Sequence, residues 1–398
     1  MSAIAQNRQG IKVLAAGSAM QLLLGILYVW SVFVNPVSKA YLWEIESVKL
    51  TSSFMLCFFV AGILAGGKFQ MKAGTQKVVL TGGLMLAAGM FATANVPAPF
   101  ARLIYVTYGI IGGFGVGAAY NAIITSAQKW FPDNRGFATG VTVCAFGFST
   151  VVFAPLIEAL VSVSGVRNTF FILSAIFGAA SLALFRFIRM PEETLGAETR
   201  TAAQDGKRQY GTAEAIRTRE FYFITLSLMF ATAAFFILNP SFKTLASQRG
   251  LGESAGTAVV MLTGVANALG RLGAPLLSDK IGREKAAFAN IAATSVCVLL
   301  LCFVNGYAIM ALIAVIAFNY GGYSGMYPVL TADYFGIKNV GSNYGAVMIG
   351  FAVSALTFPA LIGLIGDMTA KFAVLSVLAA AGAVLVMLPL VRKKGGAN

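Results

Sequence analysis

Read for polarity alone, the chain alternates between apolar runs and short polar gaps. The runs are about 20 residues long, enough to cross roughly 30 Å of hydrocarbon as an α-helix. They fall at 11–33, 51–71, 78–97, 102–124, 137–161 and 167–187, then at 220–239, 256–277, 286–305, 307–330, 343–366 and 371–391. Each predicts one membrane helix, so the pattern predicts an all-α integral membrane protein of twelve helices. The longest polar stretch, 191–220, holds six acidic and five basic residues and predicts a solvated linker. It divides a six-helix bundle over 1–190 from a second over 221–398. The halves echo one another. Gly67-Lys68-Phe69-Gln70-Met71-Lys72-Ala73-Gly74 lies 208 residues before Pro275-Leu276-Leu277-Ser278-Asp279-Lys280-Ile281-Gly282-Arg283. Trp130-Phe131 with Gly140 is answered by Tyr334-Phe335 with Gly345. A repeat of this kind is a transporter signature and puts the expected site near mid-membrane, between the repeats.

Composition sharpens this picture. Charged residues are 11% of the chain, hydrophobic residues 58%, and the mean hydropathy is +0.79. A soluble domain needs far more charge on its surface. The net charge of +14 would suit nucleic acid, but its placement argues against that partner. Twenty-one Lys and Arg fall on one side of the runs and seven on the other. This is the positive-inside pattern, which puts both termini in the cytoplasm of a multi-pass protein surrounded by membrane lipid. No cleavage site follows the first run, which reads as a retained helix rather than a signal peptide. Cys57, Cys144, Cys297 and Cys302 all sit in apolar runs as small hydrophobes, without metal or redox spacing. The chain has no histidine, the commonest metal ligand and neutral-pH base. No enzyme chemistry, metal or cofactor is expected.

One basic residue, Arg271, falls deep inside a run; the other 28 lie in gaps or at run ends. It precedes Asp279 by eight residues, about 12 Å at 1.5 Å per residue, and so sits near the bilayer centre. An arginine there costs about 2.5–3.5 kcal/mol on insertion scales, so it should face a polar cavity. It keeps its proton and asks for an anion. Two other fates exist: pairing with a protein carboxylate, or snorkelling to the inner interface. The first finds little support, because no Asp or Glu falls near the centre of any run; Glu158, Asp279 and Asp333 all lie toward ends. A single substrate carboxylate would neutralise the site and take the guanidinium fork bidentately. Asn267 shares the face of Arg271 at the i, i+4 spacing. At matching depths lie Tyr120 and Asn121 in the fourth run and Asn319, Tyr320 and Tyr323 in the tenth. Tyr28 lies in the outer half of the first run. Their polar tips suit a carboxylate and their rings a carbon skeleton; interhelical hydrogen bonding or an interfacial belt is the alternative use. Gly109, Gly113 and Gly117 recur every four residues, a strip for close helix packing rather than a nucleotide loop.

Asp279-Lys280-Ile281-Gly282-Arg283 resembles the inner-loop motif of the major facilitator superfamily, in which acid and base lock helix ends together. The first-half copy has Met71 where that motif has aspartate. Trp130-Phe131-Pro132-Asp133-Asn134-Arg135-Gly136-Phe137-Ala138-Thr139-Gly140, with Tyr28-Val29-Trp30-Ser31-Val32-Phe33-Val34-Asn35-Pro36, resembles the monocarboxylate transporter and oxalate–formate antiporter branch. The resemblance implies gating roles for Asp279 and Arg283 and capping or gating contacts for Asp133 and Arg135. Members of that family often carry an aspartate one turn before the helix-eight arginine, where this chain has Asn267. The oxalate carriers have a second membrane lysine, at a place that alignment gives to Phe351. One buried cation rather than two favours a monocarboxylate over a dianion. The resemblance thus implies alternating-access transport of a lactate- or pyruvate-like anion by a monomer in a bacterial inner membrane, with the proton as coupling ion. Carboxylate exchange of the oxalate–formate type is the main rival, and a sensor built on a transporter scaffold is the rival from another class. Sugar or drug transport accounts less well for Arg271.

Overall fold

The computed structural model describes residues 3–191, 208–239, 242, 245, 249 and 253–395; of the linker expected over 191–220, residues 192–207 lie outside the described residues. The fold among the described residues is helical throughout. In chain order the long helices are α1 (Arg8–Tyr41), α2 (Ile45–Ala73), α3 (Thr75–Ala94), α4 (Tyr105–Trp130) and a run, Arg135–Leu184, that Gly165 breaks into α5 (135–164) and α6 (166–184). They continue as α7 (Arg219–Leu238), α8 (Glu253–Ile281), α9 (Arg283–Leu300), α10 (Ala308–Phe335), α11 (Val340–Gly363) and α12 (Met368–Gly395). Gly165 makes the break because its φ of 76° is open to a residue without a Cβ. Nine of these segments are long and apolar enough to cross a membrane, the α5–α6 run counting once. The other two, α8 and α9, are the more polar pair, and α8 is the one that carries Arg271. Several helices outrun the apolar stretches that foretold them: α2 begins at Ile45 rather than 51, and α10 continues to Phe335. Helical hydrogen bonding does not stop where hydrocarbon ends, so polar turns extend each rod at its tips.

Packing resolves two compact units. The first comprises Met1–Asp133, Ala145–Gln209 and Ile337–Gly345; the second comprises Asn134–Cys144, Tyr210–Gly336 and Ala346–Asn398. In the first unit α2 and α4 are in closest contact. A Cβ placed on Gly117 would lie 1.9 Å from the Phe59 carbonyl oxygen, and one on Gly113 would lie 2.5 Å from that of Met55. The four-residue glycine strip is therefore a helix-packing surface. In the second unit the corresponding contact joins α8 to α10, where a Cβ on Gly321 would lie 2.0 Å from the Asn267 carbonyl oxygen. That approach sets the depth of the polar residues described next.

Candidate functional site

Arg271 is buried in the second unit at 1% exposure, among the largest fully buried side chains there. Its Nε–H donates to Asn267 Oδ1 at 2.8 Å, so the i, i+4 spacing on α8 becomes a direct bond that fixes the plane of the guanidinium. Because Gly321 lies on the Asn267 backbone, the α10 residues just before it share this depth. Asn319 is 4% exposed, and its Nδ2 finds no acceptor among the described residues. A buried amide donor without a partner costs about 1–3 kcal/mol, a cost that an arriving acceptor removes. Tyr320 stacks face to face on Phe235 of α7, with centroids 3.7 Å apart and planes 8° apart. Phe236 sets its edge against Tyr320 at 5.9 Å and against Phe351 of α11 at 4.9 Å. The second unit therefore gathers a cation, an amide and an aromatic wall on α7, α8, α10 and α11. Tyr323 has another use: its hydroxyl shares a hydrogen bond with Thr294 Oγ1 and ties α10 to α9.

If Asn319 donates to the transported solute, Asn319→Leu should lower affinity for that solute by about 10- to 100-fold where the acceptor is charged, the worth of such a hydrogen bond. The same variant should raise the melting temperature of the empty protein, because the orphaned donor is gone. Thermal-shift titration reads both. A fall in stability with unchanged affinity would mark the residue as structural.

The first unit holds the other candidates. Tyr28 and Tyr120 both set their rings against Phe146, at 5.5 and 4.9 Å, and Phe59 closes on Tyr120 at 5.2 Å. Beside this cluster Gln21 donates Nε2–H to the Tyr120 carbonyl at 3.2 Å. Gln21 Oε1, Ser18 Oγ and Ser149 Oγ are buried polar atoms without a partner among the described residues. Asn121 is occupied in holding backbone: its Nδ2 donates to the carbonyls of Ile63 at 2.8 Å and Gly341 at 2.7 Å. Both amide hydrogens thus tie α2 and the start of α11 to α4.

The motif residues form a charge cluster in the second unit. Asp279 accepts the backbone N–H groups of Gly136 and Phe137 at 3.2 and 3.1 Å, capping the first turn of α5, and pairs with Arg283. Arg283 Nε reaches Asp333 Oδ2 at 3.1 Å, and Arg135 Nη1 reaches Asp333 Oδ1 at 3.0 Å. Two carboxylates and two guanidiniums thus balance, with Ser278 Oγ accepting from Arg283 Nη1 at 2.6 Å. The first turns of α5 lie antiparallel along α8: Gly136 meets Pro275 and Asp279, and Gly140 meets the carbonyl oxygens of Arg271 and Leu272. The charge cluster and the buried arginine are therefore two ends of one α5–α8 contact. Asp133, grouped with the gating residues on sequence grounds, is exposed in the first unit.

Sequence reasoning left out Asp333, the carboxylate that joins both arginines, although its place at a helix end beside Tyr334-Phe335 was visible. It also missed Phe235 and Phe236, which look like ordinary apolar filler. Gln21, Ser18 and Ser149 gave a signal that went unused, namely polar side chains inside apolar runs.

The family model described as Major Facilitator Superfamily matches this chain over residues 14–332 and 224–398. The Oxalate:formate antiporter of Oxalobacter formigenes is 28% identical over 339 residues, covering 82% of this chain and 77% of that protein. An uncharacterized MFS-type transporter of Escherichia coli, YhjX, is 26% identical over 342 residues, covering 84% and 83%. Monocarboxylate transporter 13 of Rattus norvegicus is 25% identical over 390 residues, covering 95% and 88%. Among solved structures, the proton:xylose symporter XylE superposes with a TM-score of 0.73 at 14% identity, covering 97% and 96%, a likeness of fold alone. Twelve long helices among the described residues, an internal repeat with its inner-loop motif and a family match over nearly the whole chain converge: this multi-pass membrane protein belongs to the major facilitator superfamily and is a transporter, not an enzyme.

Proposed function

We propose that the protein carries a small monocarboxylate, lactate- or pyruvate-like, by alternating access, with Arg271 as the anchor of the carboxylate. The observation that carries this reading is a permanently charged guanidinium on α8, 1% exposed and oriented through Nε by Asn267. With the Nε edge used to set its plane, the fork of the two terminal nitrogens is the edge that matches a carboxylate. Asn319 on α10 supplies a donor that lacks an acceptor, and Tyr320, Phe236 and Phe351 supply apolar surface for the carbon skeleton. Phe351 adds no charge where a dianion would call for a second cation. The printed names of the relatives, oxalate, formate and monocarboxylate carriers, agree with this substrate class. In the proposed topology both termini are cytoplasmic in a bacterial cytoplasmic membrane, where the chain works as a monomer.

For coupling we favour proton symport, the proton entering with the acid itself or through water near Arg271. Exchange of one carboxylate for another is the second reading. It is favoured by an amide, Asn267, at the position one turn before the arginine, since an amide carries no proton. Proteoliposomes loaded with unlabelled lactate at equal pH on both sides separate the two. Symport predicts that an imposed inward proton gradient raises uptake into empty vesicles severalfold. Strict dependence on internal anion, with no response to the gradient, would leave exchange.

A further inference from the structure

The contact between α5 and α8 brings a thiol to the buried guanidinium. A Cβ on Gly140 of α5 would lie 3.2 Å from the carbonyl oxygens of Arg271 and Leu272. Cys144 follows one turn later on the same face of α5, about 6 Å further along its axis. Because the two helices run antiparallel, that step leads toward the start of α8, to the level of Asn267. Side chains on a helix lean toward its N-terminus. The Arg271 side chain therefore leans toward Asn267, where its Nε–H is held at 2.8 Å, while that of Cys144 leans back toward Arg271. They converge, and the positive charge of Arg271 reaches Cys144 Sγ. Both residues belong to the second unit, and Cys144 is a free thiol, 8% exposed. To the wall already gathered around Arg271, α5 thus adds a nucleophile.

We propose that Cys144 is a covalent modification site within the Arg271 anion pocket, and that the reagents it takes are small α-halocarboxylates. This rests on Arg271 as the anchor of carboxylates. The guanidinium fork holds the carboxylate of the reagent, and the Cys144 thiolate attacks the neighbouring carbon. An S–C bond forms, the carbon–halogen bond breaks, halide leaves with the bonding pair, and the thiol proton passes to water. A single methylene then joins the sulfur to a carboxylate that stays on Arg271. The adduct is a tethered copy of the cargo anion, which a neutral reagent of the same size does not make.

The test uses the full-length protein in neutral detergent, with Cys57→Ser, Cys297→Ser and Cys302→Ser leaving Cys144 as the one thiol. Iodoacetate and iodoacetamide share the leaving group, the reacting carbon and nearly the same size, and differ in charge. Both need the thiolate, so the ratio of their rates cancels the thiol's own ionisation. Measured by the mass of the modified chain, the ratio of iodoacetate to iodoacetamide should exceed that of free cysteine in the same buffer by at least about tenfold. Arg271→Gln should return it to the free-cysteine value. A second reading needs no arginine variant: the carboxymethylated chain should melt several degrees above the carbamidomethylated one. An unmodified Cys144, a ratio equal to that of free cysteine, a ratio that Arg271→Gln leaves high, or equal melting of the two adducts each overturns the proposal. Added lactate should slow the iodoacetate reaction. A high ratio without that protection upholds Cys144 as the modified thiol and overturns lactate as the cargo.

Discussion

Replacing Arg271 with alanine is expected to abolish transport of lactate-like anions while leaving a folded protein in the membrane. The guanidinium is the one basic group placed deep within an apolar run, away from its ends, and burial to 1% exposure amplifies its interaction with an anion. Removing one partner of a buried, hydrogen-bonded charge pair costs about 2–5 kcal/mol, so affinity should fall by about 30-fold or more. Folding has less to lose. The substitution relieves an insertion cost of about 2.5–3.5 kcal/mol, against the loss of the bond to Asn267 and of side-chain packing. Arg271→Lys should rescue poorly. An ammonium is a point charge that does not reproduce the planar fork, and it has no Nε–H to meet Asn267 Oδ1. Uptake of labelled lactate into proteoliposomes, with thermal-shift binding on the same preparations, tests both variants. Undiminished uptake in Arg271→Ala would remove the anchor from the proposed site and leave a carrier of unassigned cargo.

The parts of this protein that follow from period and polarity were readable before any coordinates. Helix number, the internal repeat and the packing role of the Gly113–Gly117 strip all depend on local pattern, and the structure places them accordingly. Arg271 and Asn267 were readable for the same reason: i, i+4 on one helix is a local relation that the fold only had to preserve. Partners across helices were harder. Nothing in the sequence distinguishes Phe235 and Phe236 from other apolar residues of α7 until Tyr320 is seen stacked against one and edged by the other. Asn121 and Tyr323 match Arg271 in depth along the chain. Depth says nothing about rotation around the helix axis, and the fold turns one toward backbone carbonyls and the other toward Thr294. Asp333 was visible as a charge at a helix end, but its role comes from two arginines 50 and 198 residues away.

Neutralising Asp279 is expected to loosen the first turns of α5 from α8 and thereby uncover the end of the site nearest the motif. Its carboxylate does three things at once: it caps Gly136 and Phe137, pairs with Arg283, and completes a quartet of two negative and two positive groups. The paired side chains are only 14% and 16% exposed, so solvent screens them weakly. In Asp279→Asn the amide keeps the size and one acceptor but loses the charge. Hydrogen bonds to charged groups are worth about 1.5–3 kcal/mol, so the share of molecules with this contact open should rise by about 10- to 150-fold. Ala138 reports the change, being fully buried in the first turn of α5. With the four native cysteines replaced by serine and Ala138→Cys introduced, maleimide labelling should run at least about tenfold faster in Asp279→Asn than in its parent. Asp133→Asn is the control, since Asp133 is exposed outside the quartet and should leave the rate unchanged. Because Gly140 lies on the Arg271 carbonyl one turn further along the same contact, the faster labelling should be accompanied by weaker protection from added lactate. Equal labelling of Asp279→Asn and its parent would mean that the quartet decorates the contact without holding it closed.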